Sequence, residues 1–201
     1  MRFSVVKGWA RWADSKHTEV LEDYMPPRED VSPPDIFPNL TDDIDRIVAA
    51  AKHPRQAVLF ALCGYLGLRV HEAMETTPAK VHGNRLEVDG KGHKKRWLPI
   101  PEHVERVLDA AHPGDDHTPY VAVSYRTALR WTRDVCASVG LDAGGGTHTF
   151  RRTAATALYR QTNGDINLVR FFLGHANIRM TQRYVAADWD ALVQALERRA
   201  A

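Results

Sequence analysis

The fold class of this chain is decided by residues 80–101, which read KVHGNRLEVDGKGHKKRWLPIP. Gly83-Asn84 is a tight-turn pair, and the segment RLEVD that follows it alternates between polar and apolar residues. A second turn, GKGHKK, leads into a last segment, RWLPI. Short alternating segments joined by glycine-containing turns are typical of β-hairpins. The stretch therefore predicts a small three-stranded antiparallel sheet.

Helical patterns dominate the sequence on both sides of this sheet. Thr41 is a good N-cap for a helix whose apolar stripe is Ile44, Ile47 and Val48. Residues 54–75 predict a second, mostly buried helix, with its inward positions at Val58, Leu59, Leu62, Leu66 and Met74. Further helices are predicted at residues 101–111, 124–139, 149–160, 165–173, 178–186 and 188–199. The predicted fold class is therefore mainly α with a small three-stranded antiparallel β-sheet.

The first part of the chain differs in composition from the rest. Residues 3–16 predict a short aromatic helix, and residues 24–40, YMPPREDVSPPDIFPNL, contain five prolines. Proline fixes φ and lacks an amide N–H, so this segment predicts an extended linker. We therefore expect residues 1–39 to be a helix with its linker and residues 40–201 to be one domain.

Length and composition exclude several classes of protein. The chain has 201 residues, of which 44% are apolar, which suffices for one domain with a real core. No apolar run approaches the ~18 residues of a membrane span, and the N-terminus lacks a signal-peptide pattern. Cys63 and Cys136 are the only cysteines, and their spacing is not that of a zinc site. We expect a cytoplasmic protein with no membrane segment, no structural metal and no cofactor.

The net charge of +2 conceals two basic blocks. Residues 126–184 carry nine arginines against three aspartates, and residues 69–100 carry seven basic against four acidic side chains. A localised positive surface on a nearly neutral chain is typical of nucleic-acid binding. Part of it is a helical stripe at i, i+4, i+7 spacing, Arg126, Arg130 and Arg133. A merely solvated helix face is the alternative explanation of this stripe.

A glycine-rich loop precedes a predicted helix in residues 144–158, GGGTHTFRRTAATAL. Thr147 or Thr149 would cap this helix, and the first turn leaves backbone N–H groups unpaired. Cationic side chains at the positive end of a helix are unfavourable on their own. His148 and Arg151 therefore suggest a bound anion, most obviously a phosphate, although a solvated helix start explains them too.

Two further polar sites precede this loop. Arg69 and Glu72 lie three residues apart in GLRVHEA, on one face of the second predicted helix. They are either a structural ion pair or a phosphate-binding arginine that Glu72 holds in place. Lys91 lies between two glycines at a hairpin tip, where Lys94, Lys95 and Arg96 add charge. A solvated turn is the alternative explanation of Lys91.

The last polar site is in residues 171–185, FFLGHANIRMTQRYV. Gly174-His175 ends one helix, and Tyr184 follows His175 by nine residues, with Arg179 and Arg183 between them. Together with the earlier sites, this supplies a complete set of groups for phosphodiester chemistry. Arginines neutralise charge on phosphorus, a histidine and a lysine move protons, and a tyrosine attacks phosphorus and holds it covalently.

The four motifs GLRVHEA, GKGHKKRWLPIP, HTFRRTAATAL and LGHANIRMTQRYV, in this order, resemble those of the tyrosine recombinase (phage integrase) family. The resemblance covers about residues 40–190 and implies that family's catalytic-domain fold. Arg152 stands where the family often has His, and Phe150 where Leu is usual. Residues 1–16 resemble only the last helix of the DNA-binding domain that usually comes first, so residues 1–39 are expected to be its remnant with the linker.

The resemblance assigns a role to each catalytic position. It implies that Tyr184 forms a 3′-phosphotyrosine and that Lys91 and His148 carry protons. Arg69, Arg151 and His175 would bind the scissile phosphate, with Glu72 in support. The other residues expected at the DNA are Lys94, Lys95, Arg96, Arg126, Arg130, Arg133, Arg152, Arg179 and Arg183.

The expected function is that of a site-specific DNA recombinase, with a phage integrase favoured. Its expected partners are double-stranded DNA at attachment or crossover sites, three further copies in a tetramer on DNA, and candidate DNA-bending proteins of host or phage. Without DNA the expected state is a monomer, and the expected location is the nucleoid. A chromosome-resolving or transposon recombinase, a type IB topoisomerase and a non-catalytic DNA-binding module are the alternatives.

Overall fold

The computed structural model of the chain describes residues 35–90, 95–144 and 146–175. All of them belong to one structural unit, residues 33–201. Several predictions fall outside the described residues: the helices at 3–16, 178–186 and 188–199, most of the proline-rich linker, and the site residues Lys91, Lys94, Arg179, Arg183 and Tyr184.

The predicted sheet is present and has the predicted topology. Its strands are β1 (Val81–His82), β2 (Arg85–Asp89) and β3 (Lys95–Pro99), antiparallel in the order β1-β2-β3. Leu86 on β2 is opposite Leu98 on β3, and both are buried. The alternation in the sequence thus gives the sheet one face on the core and one face in solvent.

Seven α-helices lie within the described residues. They are α1 (Thr41–Ala49), α2 (Pro54–Gly64), α3 (Val70–Met74), α4 (Glu102–Ala110), α5 (Tyr125–Ser138), α6 (Thr147–Gln161) and α7 (Ile166–Leu173), with a short 3₁₀-helix at Pro78–Lys80. Helices α4 to α7 begin and end close to their predicted positions. The predicted class, mainly α with a small antiparallel sheet, is confirmed.

The predicted cap of α1 is wrong. Thr41 is the first helical residue, Leu40 occupies the N-cap position, and no side chain caps it. The buried carboxylate of Asp43 instead accepts a hydrogen bond from the backbone N–H of Asn39 (2.8 Å) and one from Arg46 Nη1 (2.9 Å). An acidic group in the first turn favours the helix electrostatically wherever the formal cap lies.

The single helix predicted for residues 54–75 is also wrong, because the chain breaks between α2 and α3. Gly67 adopts φ +59°, a left-handed conformation that favours glycine, and the N–H of Leu68 donates to the carbonyl of Leu62 (3.0 Å). A Cβ on Gly67 would lie 2.6 Å from the ring of Phe172, so that helix α7 packs directly over the break. The break places Arg69 at the start of α3.

The core is built around α2. Val58, Leu59 and Leu62 are fully buried, and α2 packs against α1, α4 and α6. The ring of Phe60 stacks on Phe150 of α6 with centroids 5.6 Å apart. In the three described ranges no helix is long and apolar enough to cross a membrane.

Candidate active site

The carboxylate of Glu72 lies at the centre of three arginines. Arg69 donates to Glu72 through Nη1 (2.9 Å, to Oε1) and through its backbone N–H (2.8 Å, to Oε2). From β3, Arg96 donates through Nη1 to Oε1 (3.1 Å) and through Nη2 to Oε2 (2.9 Å). Arg151 lies farther away, with Nη1 3.9 Å from Oε2. We call these four residues the arginine cluster.

The charges of the arginine cluster do not cancel. Burial opposes ionisation of Glu72, but the hydrogen bonds and charge of Arg96, the backbone of Arg69 and the charge of Arg151 outweigh it and lower its pKa. Glu72 is therefore ionised at neutral pH. Three guanidinium groups around one carboxylate leave a positive excess, which attracts an anion.

The position of Arg69 follows from the local sequence. Arg69 is the N-cap residue of α3 and has an extended backbone, while Glu72 occupies the third helical position. A glutamate there reaches back to the N-cap N–H, as in a capping box. The same carboxylate then holds the Arg69 side chain, which remains 31% exposed. Arg69 is thus fixed by Glu72 and still accessible to a ligand.

Arg151 is fully buried on α6 and joins two other segments. Its Nη1 donates to the carbonyl of Gly67 in the break after α2. Its Nη2 donates to the carbonyl of Leu173 at the end of α7 (2.6 Å) and lies 3.3 Å from Nε2 of His175. Polar partners of this kind are what a buried guanidinium requires. They hold it in one orientation before any ligand binds.

His175 is nearly buried next to Arg151. Gly174 ends α7 in a left-handed conformation (φ 66°), which turns the chain toward Arg151. Since a guanidinium only donates, Nε2 of His175 is the acceptor, and the ring proton lies on Nδ1. Burial, then the charges of Arg151, Arg69 and Arg96, lower the pKa of His175 to about 4. Its imidazole is neutral at pH 7.

His148 is exposed in the first turn of α6, one turn before Arg151. Neither Thr147 nor Thr149 caps this helix, because Gly146 occupies the N-cap position with φ 61° and no side-chain bond is made. Partial desolvation of the ring, and then the charges of Arg152, Arg151 and Arg69, lower the pKa of His148. A neutral His148 can accept a proton at physiological pH.

The remaining described site residues lie outside the arginine cluster. Lys95 is exposed on β3 and pairs with Glu87 (2.5 Å), and Arg152 makes a long ion pair with Asp35 (3.5 Å). The predicted stripe is exposed along α5: Arg126, Arg130 and Arg133. Within residues 35–90, 95–144 and 146–175, no three His, Cys, Asp or Glu side chains are arranged to hold a metal ion.

The sequence interpretation missed the environment of Arg96. It counted Arg96 among the cations beside the hairpin tip and among the residues expected at the DNA, whereas the residue is only 9% exposed and is bound to Glu72. The signal was present in the two-residue period of β3, because Arg96 shares the inward face with Leu98. The interpretation also missed the carbonyls of Gly67 and Leu173, which nothing in a side-chain pattern reveals.

A family model described as the phage integrase family matches residues 40–190. The chain belongs to this family. Similar curated proteins include tyrosine recombinase XerC of Rhizobium meliloti, 29% identical over 163 residues, covering 72% of this chain and 49% of that protein. Tyrosine recombinase XerD of Lacticaseibacillus casei is 30% identical over 146 residues, covering 65% of this chain and 50% of its own. The chain thus spans about half the length of these curated relatives.

Solved structures show the same fold. The crystal structure of XerA recombinase matches with a TM-score of 0.67 at 24% identity, covering 92% of this chain and 72% of that one. The catalytic domain of bacteriophage HP1 integrase matches with a TM-score of 0.57 at 22% identity, covering 77% of this chain and 91% of that one. The predicted tyrosine recombinase catalytic-domain fold is confirmed, while the roles of individual residues remain predictions.

Proposed function

We propose that this chain is the catalytic domain of a site-specific recombinase that cuts and rejoins DNA through a 3′-phosphotyrosine. The observation that carries the proposal is the arginine cluster together with His175. Residues from all four motifs come together here: Arg69, Arg96 and Arg151 lie around Glu72, and His175 lies against Arg151. The three guanidiniums leave a positive excess beside the one carboxylate. Family membership over residues 40–190 supports the proposal independently.

In the proposed reaction, Arg69, Arg151 and His175 bind the scissile phosphate. The guanidinium of Arg69 is partly exposed, and that of Arg151 is buried and held in one orientation by the carbonyls of Gly67 and Leu173. Charge grows on the phosphate oxygens as a fifth bond to phosphorus forms, and fixed cations stabilise that state more than the ground state. Because their protein partners already orient these groups, little reorganisation accompanies the reaction.

Tyr184 is the proposed nucleophile. Its hydroxyl oxygen forms a bond to phosphorus, the bond from phosphorus to the 5′-oxygen breaks, and the 3′-phosphate remains on the tyrosine. Neutral His148 accepts the proton of the tyrosine, and Lys91 gives a proton to the departing 5′-oxygen. The phosphodiester is exchanged rather than hydrolysed, so the reverse attack by a 5′-hydroxyl rejoins DNA without ATP.

Trapping of the covalent adduct tests the proposal. The substrates are short duplexes of randomised sequence with a nick near the middle, so that the cleaved 5′-fragment diffuses away and rejoining stops. We expect a denaturant-resistant protein–DNA adduct, with the DNA on Tyr184 in a mass spectrum of the digested protein. The adduct DNA, once sequenced, also gives the preferred site.

The matched control is Tyr184→Phe, which removes only the hydroxyl oxygen. It should bind DNA and form no adduct. An adduct that persists in this variant, or one that maps to another tyrosine such as Tyr159 of α6, would contradict the assignment of the nucleophile. Relaxation of supercoiled plasmids without any joining of two sites would instead favour the type IB topoisomerase alternative.

We further propose that four copies act together on two DNA sites. The sequence basis is the amphipathic segment 188–200, which follows Tyr184 closely and which a neighbouring copy can accept. Mass photometry should find monomers without DNA and tetramers on paired sites. Deletion of residues 188–201 should abolish the tetramer and leave DNA binding, whereas a truncated protein that melts early would show that the segment completes its own domain.

A further inference from the structure

Arg96 occupies a position where the sheet would ordinarily place an apolar residue. It lies on the inward face of β3 opposite Val88, and its side chain is only 8% exposed. Arginine is almost never buried without a partner, because desolvation of its charge is costly. The burial of Arg96 therefore has to be explained by its protein partners.

The first part of the explanation is the carboxylate of Glu72. Arg96 donates to both of its oxygens (3.1 and 2.9 Å), and Arg69 donates once to each (2.9 and 2.8 Å). An ionised carboxylate has about four acceptor positions, so these four bonds saturate it. Glu72 cannot rotate without breaking a bond to Arg96, and Arg69 is fixed as a result.

The second part is the turn that carries His175. A Cβ on Gly174 would lie 3.0 Å from Cδ of Arg96 and 3.1 Å from its Nη1. The guanidinium of Arg96 thus packs against the backbone at Gly174, immediately before His175. One side chain therefore touches both the carboxylate that holds Arg69 and the turn that presents His175.

We propose that Arg96 is a positioning residue, which sets the distance between Arg69 and His175 by bridging Glu72 and the turn at Gly174. The inference rests on the proposed function, since these two residues are assigned there to the scissile phosphate. Arg96 itself does not contact DNA. Its charge also compensates Glu72, so that the carboxylate does not cancel the positive field of Arg69 and Arg151.

The first test compares variants of Arg96 in single-turnover cleavage of the nicked duplexes. Arg96→Met keeps a flexible, unbranched side chain and removes both the charge and the two-point hydrogen bonding of the guanidinium. Because a misplacement of about 1 Å in an active site costs about 10²-fold in rate, we expect cleavage to slow by about 10²-fold while DNA affinity is retained. Arg96→Lys keeps the charge but not the two-point geometry, and should remain slow.

The matched control is Arg85→Met, at an exposed position on the neighbouring strand β2. It should cleave at the wild-type rate. Cleavage by Arg96→Met at the wild-type rate would overturn the inference. So would a loss of DNA affinity that accounts for the whole loss of cleavage, since Arg96 would then be a DNA contact.

The second test does not use DNA and separates this inference from the proposed function. His175 is faced by the charges of Arg151, Arg69, Arg96 and Glu72, and loss of the Arg96 cation should raise its pKa. Imidazole NMR signals titrated in Arg96→Met and Arg85→Met measure this shift. Loss of stability alone does not move a native-state pKa, so an unchanged His175 titration contradicts the inference even if the wild type forms no adduct.

A third measurement covers the case in which Arg96→Met does not fold. In the wild-type protein the guanidinium N–H signals of Arg96 should exchange slowly with water, because they are buried and bonded to Glu72. They should also keep their chemical shifts when DNA binds. Fast exchange, or a large shift on DNA binding, would overturn the assignment of Arg96 as a positioning residue.

Discussion

Two groups of arginines in this molecule have the same chemistry and opposite surroundings. The arginine cluster is buried or half-buried, and Glu72 and backbone carbonyls hold its guanidiniums. The stripe Arg126, Arg130 and Arg133 is exposed on α5, and in the described part of the chain no carboxylate pairs with it. The guanidiniums of the arginine cluster are desolvated and held in one geometry. Those of the stripe stay hydrated and attract an anion through their charge over a longer distance.

This difference in surroundings predicts that one group acts on the chemical step and the other on the attraction of DNA. A fixed cation stabilises charge that develops during the reaction, whereas a mobile, hydrated cation stabilises bound and reacting DNA about equally. We therefore expect the arginine cluster to control the cleavage rate and the α5 stripe to control affinity and its dependence on salt.

The largest effect should come from Arg151→Lys. A lysine keeps the charge but cannot reach Gly67 O, Leu173 O and His175 Nε2 together. Loss of one preorganised donor costs about 10²–10³ in rate, and single-turnover cleavage should slow by about that factor. Since buried carbonyls lose their donor, the free energy of unfolding should also fall, by about 3 kcal/mol. A folded Arg151→Lys variant that cleaves at the wild-type rate would show that the arginine cluster does not control the cleavage rate.

The free energy of unfolding should depend on pH through His175 in the same buried site. The pKa of His175 in the folded protein is about 4, below its ordinary value of 6.5, so between these values the unfolded chain binds more protons. Stability should therefore fall as the pH drops from 6.5 toward 4, by at most about 3 kcal/mol from this residue.

Urea unfolding at several pH values measures this loss. His175→Gln cannot titrate and still offers an acceptor to Arg151, so its stability should depend less on pH across that range. His117→Gln, at an exposed position, is the matched control and should keep the wild-type dependence. Equal slopes in all three proteins would show that His175 does not contribute.

Part of this division was predictable from the sequence and part was not. The i, i+4, i+7 spacing of the stripe fixes one helix face, and the alternation in residues 85–89 and 95–99 fixes the sheet. Local periodicity of this kind predicts elements because it depends on neighbours in the chain. The arginine cluster depends on contacts such as Arg151 to Gly67, 84 positions apart, which no local period encodes.

The errors have the same origin. Residues 54–75 read as one helix because their apolar spacing continues through Gly67, whereas the left-handed turn there is fixed by packing against Phe172. The position of Arg69 depends on that turn. The family motifs imply a site role for Arg69 but do not indicate that a separate helix begins there.

A smaller effect is expected from the α5 stripe. Each cation that contacts a phosphate contributes about −0.9 to the slope of log K against log salt, so Arg126→Gln, Arg130→Gln and Arg133→Gln combined should reduce that slope by about 2–3. Fluorescence anisotropy between about 50 and 200 mM salt measures it. Cleavage at saturating DNA should change far less than affinity. Arg106→Gln, on the exposed side of α4, is the control and should leave the slope unchanged.

The smallest effect concerns an exposed ion pair that lies next to the buried cluster. Arg152 follows Arg151 on α6 and lies 3.5 Å from Asp35, and both side chains are partly exposed, 32% and 60%. Exposed pairs contribute about 0–1 kcal/mol, so Asp35→Asn should change the free energy of unfolding by less than about 0.5 kcal/mol.

The same substitution should also affect DNA binding, because it removes the negative charge that pairs with Arg152. Arg152 lies close enough to the proposed site to lower the pKa of His148, so its charge then acts there without a compensating carboxylate. We therefore expect slightly tighter DNA binding at low salt, a difference that disappears as salt is raised, and an unchanged cleavage rate at saturating DNA. A large loss of stability in Asp35→Asn would mean that this pair behaves like the buried one, and the division between fixed and hydrated arginines would then fail at the residue next to Arg151.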